Sequence, residues 1–162
     1  MATIEELEAR VERLEAIAGV ERTLRDYAVL VDCGRWNEVT GLFTEDANLE
    51  VSGYGGLDGV DYDVTKSGRT TIRDYYAGNY RGVKGPPRTK HNIIAGPIEI
   101  EGNEAVAVAY LLDIPPATPG NPGGGIYELR MRRQADGRWR FATMRIVSTG
   151  KQTVSEALLH KV

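Results

Sequence analysis

Apolar residues recur at helical spacing through the first thirty residues of the chain. They lie three, four or seven positions apart, at Ile4, Leu7, Val11, Leu14, Ile17, Leu24 and Val31. Thr3 and Glu6 are spaced as a capping box, and Gly34 is a typical stop signal. The pattern predicts a helix over residues 3–33 with a kink at Gly19. Its first half resembles a short coiled-coil arm, although two heptads alone do not define one.

The stretch after Gly34 predicts two shorter helices, with a strand and a long loop between them. The helices are expected over residues 36–43 and 70–81, and apolar alternation predicts a strand over 47–51. Residues 52–68 hold five glycines and no periodic pattern, which indicates a long loop. These glycines open no helix and are not spaced as a dinucleotide fingerprint, so phosphate binding is not expected there.

The second half of the chain is rich in strand patterns. Four strands are predicted, over residues 88–101, 105–114, 125–134 and 138–149. Gly102-Asn103 and Asp136-Gly137 are tight-turn signals, and Gly96-Pro97 indicates a bulge inside the first strand. Residues 115–125 form a second long loop. Helices followed by a four-strand antiparallel meander predict the α+β class, with a bent sheet wrapped over a helix.

Composition narrows the function classes without naming a function. The length of 162 residues fits one domain over 1–162, with a helical arm at 1–18 and a tail at 150–162. A net charge of -3 gives no basic field for nucleic acid or anionic membranes. With a single cysteine and two histidines, an internal disulfide is excluded and a transition-metal site is not expected. Residues 1–15 are strongly charged and no apolar run is of membrane length, so a cytoplasmic location is expected.

Two residues stand out as candidate acid–base groups. Asp32 follows the apolar run 28–31 at the predicted helix end, where it is either an exposed terminal residue or a buried carboxylate that needs partners. Alternation within the strand places His91 on the same face as Ile93. His91 is then either a buried histidine bonded to a backbone carbonyl or a general base, because imidazole titrates near neutral pH.

Other polar residues are weaker candidates. Alternation from Trp139 predicts that Arg145 points inward, where it would need an anion, and the alternative is a surface arginine. Tyr110, Asp113 and Tyr127 are further candidates whose faces the pattern leaves open. Cys33 is expected to be a small buried residue and not a nucleophile.

The order of the motifs resembles that of a known family. The motifs are Tyr27, Asp32, Gly34-Arg35-Trp36, Leu42-Phe43-Thr44-Glu45-Asp46-Ala47, His91, Gly102-Asn103 and Asp136-Gly137-Arg138-Trp139. Over roughly residues 15–149 the chain resembles the SnoaL-like branch of the NTF2-like superfamily. That superfamily includes scytalone dehydratase, bile-acid 7α-dehydratase, hexachlorocyclohexane dehydrochlorinase, ketosteroid isomerase and limonene epoxide hydrolase. The resemblance implies a cone-shaped α+β barrel, in which N-terminal helices pack on a strongly curved, mainly antiparallel sheet that encloses a cavity.

The resemblance also implies roles for particular residues. Asp32 matches the helix-end aspartate of the dehydratases and the dehydrochlorinase, and His91 matches the strand histidine that pairs with it. Tyr27 matches a polar residue five positions earlier, and Arg145 matches an arginine on the last strand. The Asp-Arg-Asp set of the epoxide hydrolases does not fit a histidine at 91.

These expectations combine into a cofactor-free lyase or isomerase that acts on a small apolar, cyclic or polyketide-like molecule. Asp32 and His91 would abstract a proton, while Tyr27 and Arg145 would stabilise the oxyanion or the leaving group. The expected apolar wall consists of Trp36, Phe43, Tyr54, Tyr75, Tyr76 and Met144. Any one of these residues taken alone fits an ordinary core better than a substrate wall. A polyketide cyclase, an epoxide hydrolase and a non-catalytic binding module stay open. The loops 52–68 and 115–125 are expected to gate the cavity, and a homo-oligomer, dimer or trimer, is the expected assembly.

Overall fold

The computed structural model describes residues 2–55, 61–79, 90–114 and 124–148. Three helices and six strands lie in these ranges. In chain order they are α1 (Ile4–Asp32), α2 (Trp36–Gly41), β1 (Phe43–Gly55), β2 (Asp61–Ser67), α3 (Arg69–Asn79), β3 (Lys90–Glu101), β4 (Glu104–Ile114), β5 (Gly124–Arg133) and β6 (Trp139–Ser148). The predicted α+β class is confirmed, and the predicted tail at 150–162 lies outside the described residues.

Helix α1 begins at the predicted capping box. The Thr3 hydroxyl accepts from the Glu6 backbone N–H, and the Glu6 carboxylate accepts from the Thr3 backbone N–H. Helix α1 continues through Gly19 as one helix of 29 residues, and the kink expected at Gly19 stays a prediction. A Cβ at Gly19 would lie only 2.6 Å from Cδ1 of buried Trp139. Glycine therefore allows the indole to pack directly against the helix.

The six strands form one curved and unclosed mixed sheet in the order β2-β1-β6-β5-β4-β3. The predicted meander β3 to β6 is antiparallel throughout, and β1 pairs with β6 in parallel. The prediction of a loop over 52–68 is wrong for most of its length. Strand β1 begins at Phe43, where a helix was predicted, and extends to Gly55, while residues 61–67 form β2. Strand β2 pairs with β1 at one edge of the sheet, where little apolar alternation is required.

The face of the sheet that packs on α1 is called the inner face, and the opposite one the outer face. On β4 the inner positions are nearly all alanine, as Ala105, Ala107 and Ala109 are each at most 2% exposed. These small side chains leave room for larger inner residues on β5 and β6, which are Tyr127, Leu129, Met131, Phe141, Met144 and Ile146. Ala105 and Ala107 therefore lie on the inner face of the sheet.

Register shifts interrupt four of the ladders in the sheet, and those on β3 and β6 bear on the site. The predicted bulge at Gly96-Pro97 is confirmed, because the β3–β4 register shifts between Ala95 and Ile98. A Cβ at Gly96 would lie 2.9 Å from the Val108 carbonyl oxygen, so a larger residue would push the strands apart. A second shift lies on β6, where Phe141 pairs with Met131 but Thr143 pairs with Arg130. The extra residue, Ala142, reverses the alternation of everything that follows it.

Candidate active site

Asp32 and His91 meet where the end of α1 reaches the start of β3. The His91 Nδ1 lies 2.7 Å from the Asp32 Oδ1. The His91 backbone N–H also donates to the same carboxylate, at 3.1 Å and 3.2 Å to its two oxygens. Asp32 therefore holds both the ring and the backbone of one residue.

Local sequence explains this placement. Asp32 is the last residue of α1, and the chain turns away at Gly34, which has a φ of 67°. His91 is the second residue of β3, on the face that also carries Ile93, because Ile93 pairs with inner Leu111. The alternation that predicted an inward His91 agrees with the structure at this position.

The pair is shielded but remains accessible. The side chains of Asp32 and His91 are 14% and 13% exposed. An ionised carboxylate can only accept hydrogen bonds, so it selects the tautomer in which His91 Nδ1 carries the proton. The neutral ring then presents Nε2 as its acceptor nitrogen. This arrangement suits a general base, because the contact of Nδ1 with Asp32 fixes the orientation of the ring.

Aromatic side chains fill the interior between the helices and the sheet. Tyr27 lies five residues before Asp32, about 7.5 Å along the helix axis. Its hydroxyl lies 2.9 Å from that of Tyr76 on α3, and both side chains are buried. Tyr76 stacks on Trp36 with a centroid distance of 6.2 Å and an interplanar angle of 7°. The Tyr27 ring meets Tyr127 edge-on at 6.0 Å.

Further expected wall residues lie in the same interior. Phe43 and Met144 are fully buried, and half-buried Tyr75 contacts Tyr76 edge-on at 5.6 Å. Phe141, which is not among the expected wall residues, meets the Tyr27 ring edge-on at 5.8 Å. Its inner position follows from simple alternation after Trp139, so the signal was present in the sequence.

Arg145 does not join this interior, and the expectation that it points inward is wrong. It pairs across the ladder with Glu128 on the outer face, because Ala142 reverses the alternation of β6. Its Nη1 lies 2.8 Å from the Glu128 Oε2, and its Nε lies 3.8 Å from the Glu50 Oε2. Glu128, only 7% exposed, is a buried carboxylate that the sequence reading missed. No turn residue marks Ala142, so the sequence carries no plain signal for this reversal.

Other predicted site residues also differ from expectation. Tyr110 lies on the outer face and is 51% exposed, so it does not line the interior. Cys33, expected to be buried, is exposed. The Asp113 backbone pairs opposite His91, but the side chains of Asp113 and Tyr54 lie outside the described residues. Of the loops 52–68 and 115–125 that are expected to gate the cavity, residues 56–60 and 115–123 lie outside the described residues as well.

Within the described ranges, no three histidine, cysteine, aspartate or glutamate side chains gather as metal ligands would. Asp32 and His91 make a set of two, which is too few for the usual protein metal sites. Nor does any helix in that part of the chain have the length and apolarity needed to span a membrane.

Solved structures with the same fold cover nearly the whole chain. An NTF2-like protein with a cystatin-like fold from Novosphingobium aromaticivorans is 23% identical, with 98% of each chain covered and a TM-score of 0.75. A protein assigned by inference as a scytalone dehydratase, from the same organism, is 24% identical over 88% of this chain and 91% of that one, with a TM-score of 0.64. A protein of unknown function from Mycobacterium tuberculosis is 22% identical over 90% and 80%, with a TM-score of 0.65.

These identities establish similarity of fold and nothing finer. No curated protein sequence matches the chain. The model of the SnoaL-like domain matches residues 12–145, which is most of the sequence and includes both Asp32 and His91. The chain therefore belongs to the SnoaL-like domain family, within the NTF2-like fold.

Proposed function

We propose that this protein is a cofactor-free lyase or isomerase in which Asp32 and His91 remove a proton from a carbon atom of the substrate. The observation that carries the proposal is the 2.7 Å contact between Asp32 Oδ1 and His91 Nδ1, made at a partly shielded position on the inner face. A histidine oriented by a carboxylate is the usual arrangement of a general base. General base catalysis of this kind contributes typically ~10²–10⁴-fold to a rate.

The roles of the two residues differ. His91 Nε2 would take the proton while the C–H electron pair forms a new double bond. Asp32 would stabilise the resulting imidazolium and hold the ring against rotation. In an elimination the leaving group departs from the neighbouring carbon with the other electron pair, and His91 can return the proton to a departing hydroxide. In an isomerisation the same imidazolium returns the proton to a different carbon.

Tyr27 is the proposed donor to the oxyanion or leaving group. Its buried hydroxyl lies 2.9 Å from that of Tyr76, and hydrogen bonds in series polarise one another. A preorganised donor of this type is worth about 3–4 kcal/mol to a transition state. Arg145 is not part of this proposal, because it lies on the outer face with Glu128 and Glu50.

The lining supports an apolar substrate. Tyr76, Tyr127 and Phe141 meet the Tyr27 ring edge-on. Trp36 and Phe43 contact Tyr76 in turn, and Met144 belongs to the same buried cluster. Few charged groups enter this interior from the described residues, so a small cyclic or polyketide-like molecule with one or two oxygens fits its chemistry. A polyketide cyclase would use the same groups.

One observation favours a second candidate, a non-catalytic binding module. Asp32 accepts the His91 backbone N–H as well as its ring, so the carboxylate also ties α1 to β3. A structural clamp needs that backbone bond and has no use for the imidazole. The two candidates differ in whether any substrate is turned over.

A substrate screen tests the proposal. Purified protein is incubated with cyclic alcohols, ketones and halides, and the products are followed by mass spectrometry in water enriched in oxygen-18. Elimination or isomerisation without incorporation of label from solvent supports the proposal. Incorporation above that of a protein-free control, which measures the spontaneous exchange of ketone oxygens with water, would instead indicate hydrolysis. No turnover of any compound by a protein that binds them would indicate the module.

A further inference from the structure

The N-terminal part of α1 carries an apolar stripe that its own domain leaves exposed. Ile4 is 71% exposed, Leu7 48%, Val11 54% and Leu14 65%. The first buried residue of the helix is Ala16. Residues 4–15 are the exposed helical part of the expected arm 1–18, and they alone are called the arm from here on. They therefore form a projecting helix of about 18 Å with one apolar side.

The spacing of the stripe is that of a coiled-coil seam. Ile4 and Val11 occupy the a positions of two heptads, and Leu7 and Leu14 occupy the d positions. Beta-branched residues at a with leucine at d favour two parallel strands over higher assemblies. The seam therefore carries its own preference for a partner of the same kind.

The flanking charges indicate the orientation. In a parallel pair, Arg10 at a g position faces Glu15 at the following e position of the other helix. In an antiparallel pair, equivalent positions face each other, so Glu8 and Glu15 would meet glutamates and Arg10 would meet arginine. Only the parallel arrangement places opposite charges across the seam.

We propose that the arm pairs with the arm of a second copy of this chain as a parallel two-stranded coiled coil. The pairing buries the apolar stripe. Because α1 continues unbroken to Asp32, the pairing also fixes the relative orientation of the two domains. Two heptads bury less than the ~800 Å² per partner of a standard stable interface. The dimer should therefore be weak and depend on concentration unless the domains add contacts.

Disulfide trapping tests the register and the orientation. The background is the full chain with its single cysteine removed, Cys33→Ser. Leu7→Cys at a d position meets its own copy in a parallel pair, so we expect a covalent dimer in a glutathione redox buffer. Ala9→Cys, exposed on the opposite side of the arm, is the matched control and should give at least ten-fold less dimer. Equal trapping at both positions, or none at Leu7→Cys, would overturn the proposal.

A charge swap tests the pairing of Arg10 with Glu15. In the Leu7→Cys background, Arg10→Glu should lower the dimer yield several-fold, and adding Glu15→Arg should restore it. Both positions are exposed, so circular dichroism should show unchanged folding in every variant. A dimer yield that is unchanged by Arg10→Glu, or that is not restored by adding Glu15→Arg, would contradict the parallel arrangement. Trapping only in a mixture of Leu7→Cys with Val11→Cys would identify an antiparallel pair instead.

Discussion

Two carboxylates each hold a nitrogen-bearing side chain, on opposite faces of the same sheet, and the two pairs differ in the chemistry that they allow. On the inner face, Asp32 holds His91 at 2.7 Å. On the outer face, Glu128 holds Arg145 at 2.8 Å, and Glu50 approaches the same guanidinium at 3.8 Å. The distances are nearly equal, so length alone does not distinguish a catalytic pair from a structural one.

The difference between the two pairs lies in the nitrogen-bearing side chain, a guanidinium in one and an imidazole in the other. A guanidinium carries a fixed positive charge and has no acceptor nitrogen, so Arg145 can neutralise Glu128 but cannot act as a base. An imidazole changes charge near neutral pH and can act as a base. The inner pair lies on the face that carries the aromatic interior. The outer pair has a second carboxylate, Glu50, near the same guanidinium. Changes on the inner face should therefore affect turnover, and changes on the outer face should affect stability.

The largest effect is expected for His91→Ala. Removing the imidazole removes the base, so turnover should fall by ~10²–10⁴-fold, while the fold persists because Asp32 can still accept the backbone N–H of residue 91. The measurement is kcat on whichever substrate the screen reveals, with circular dichroism as the check on folding. Asn92→Ala, a neighbour on the outer face, is the control and should keep normal turnover. Comparable losses of turnover in His91→Ala and Asn92→Ala would contradict the proposal that the inner face carries the catalytic residues.

Asp32→Asn should impair turnover severely with little change in shape. An amide has the size of the carboxylate but can donate to His91 Nδ1, which stabilises the wrong tautomer and no longer stabilises the imidazolium. We expect a loss of at least ten-fold in kcat. Asp26→Asn, an exposed aspartate on the same helix, is the matched control. An unchanged kcat in the Asp32→Asn variant would mean that the carboxylate serves only as a structural clamp.

Glu128→Gln should leave turnover unchanged and lower the stability. The amide still accepts from Arg145 but loses the charge-assisted part of the bond, and partial exposure of the arginine limits the loss to about 1 kcal/mol. The free energy of unfolding in urea and kcat are measured on the same preparation. A drop in kcat without a drop in the free energy of unfolding would show that the outer pair contributes to catalysis.

The smallest effect is expected at a third, exposed pair. The Arg140 guanidinium and the Arg138 backbone N–H hold the pKa of Asp136 below its usual value. Its contribution to stability is therefore present above the unfolded pKa of about 3.9 and is lost as the pH falls through the lower folded pKa. Asp136→Asn should destabilise slightly at pH 7, and the difference in unfolding free energy should shrink as the pH is lowered. A difference that grows in acid would contradict the sign.

The sequence predicted the parts of the fold that local rules determine. The capping box of α1, the antiparallel meander and the bulge at Gly96-Pro97 all carry signals in adjacent residues. Strand β2 was missed because an edge strand needs no apolar alternation, and glycines around it favoured a loop. The contact between Asp32 and His91 agrees with strand alternation, but its role came from the resemblance and stays a prediction.

The error at Arg145 has a different origin. Alternation is reliable only while the register holds, and the extra residue Ala142 reverses it between Phe141 and Thr143. Alanine has no turn or bulge preference that would reveal this in the sequence. The same local event explains why Glu128, on a neighbouring strand, was not recognised as the arginine's partner. Long-range pairing, and not local propensity, decides which face a late strand residue occupies.

A double-mutant cycle at Asp32 and His91 tests the central claim most directly. The rates of His91→Ala, Asp32→Asn and the double variant are measured on one substrate, alongside the unaltered protein. Residues that act as one unit lose activity non-additively, so we expect the double variant to be scarcely slower than His91→Ala alone. Independent losses that multiply in the double variant would show that the two residues do not work as a dyad.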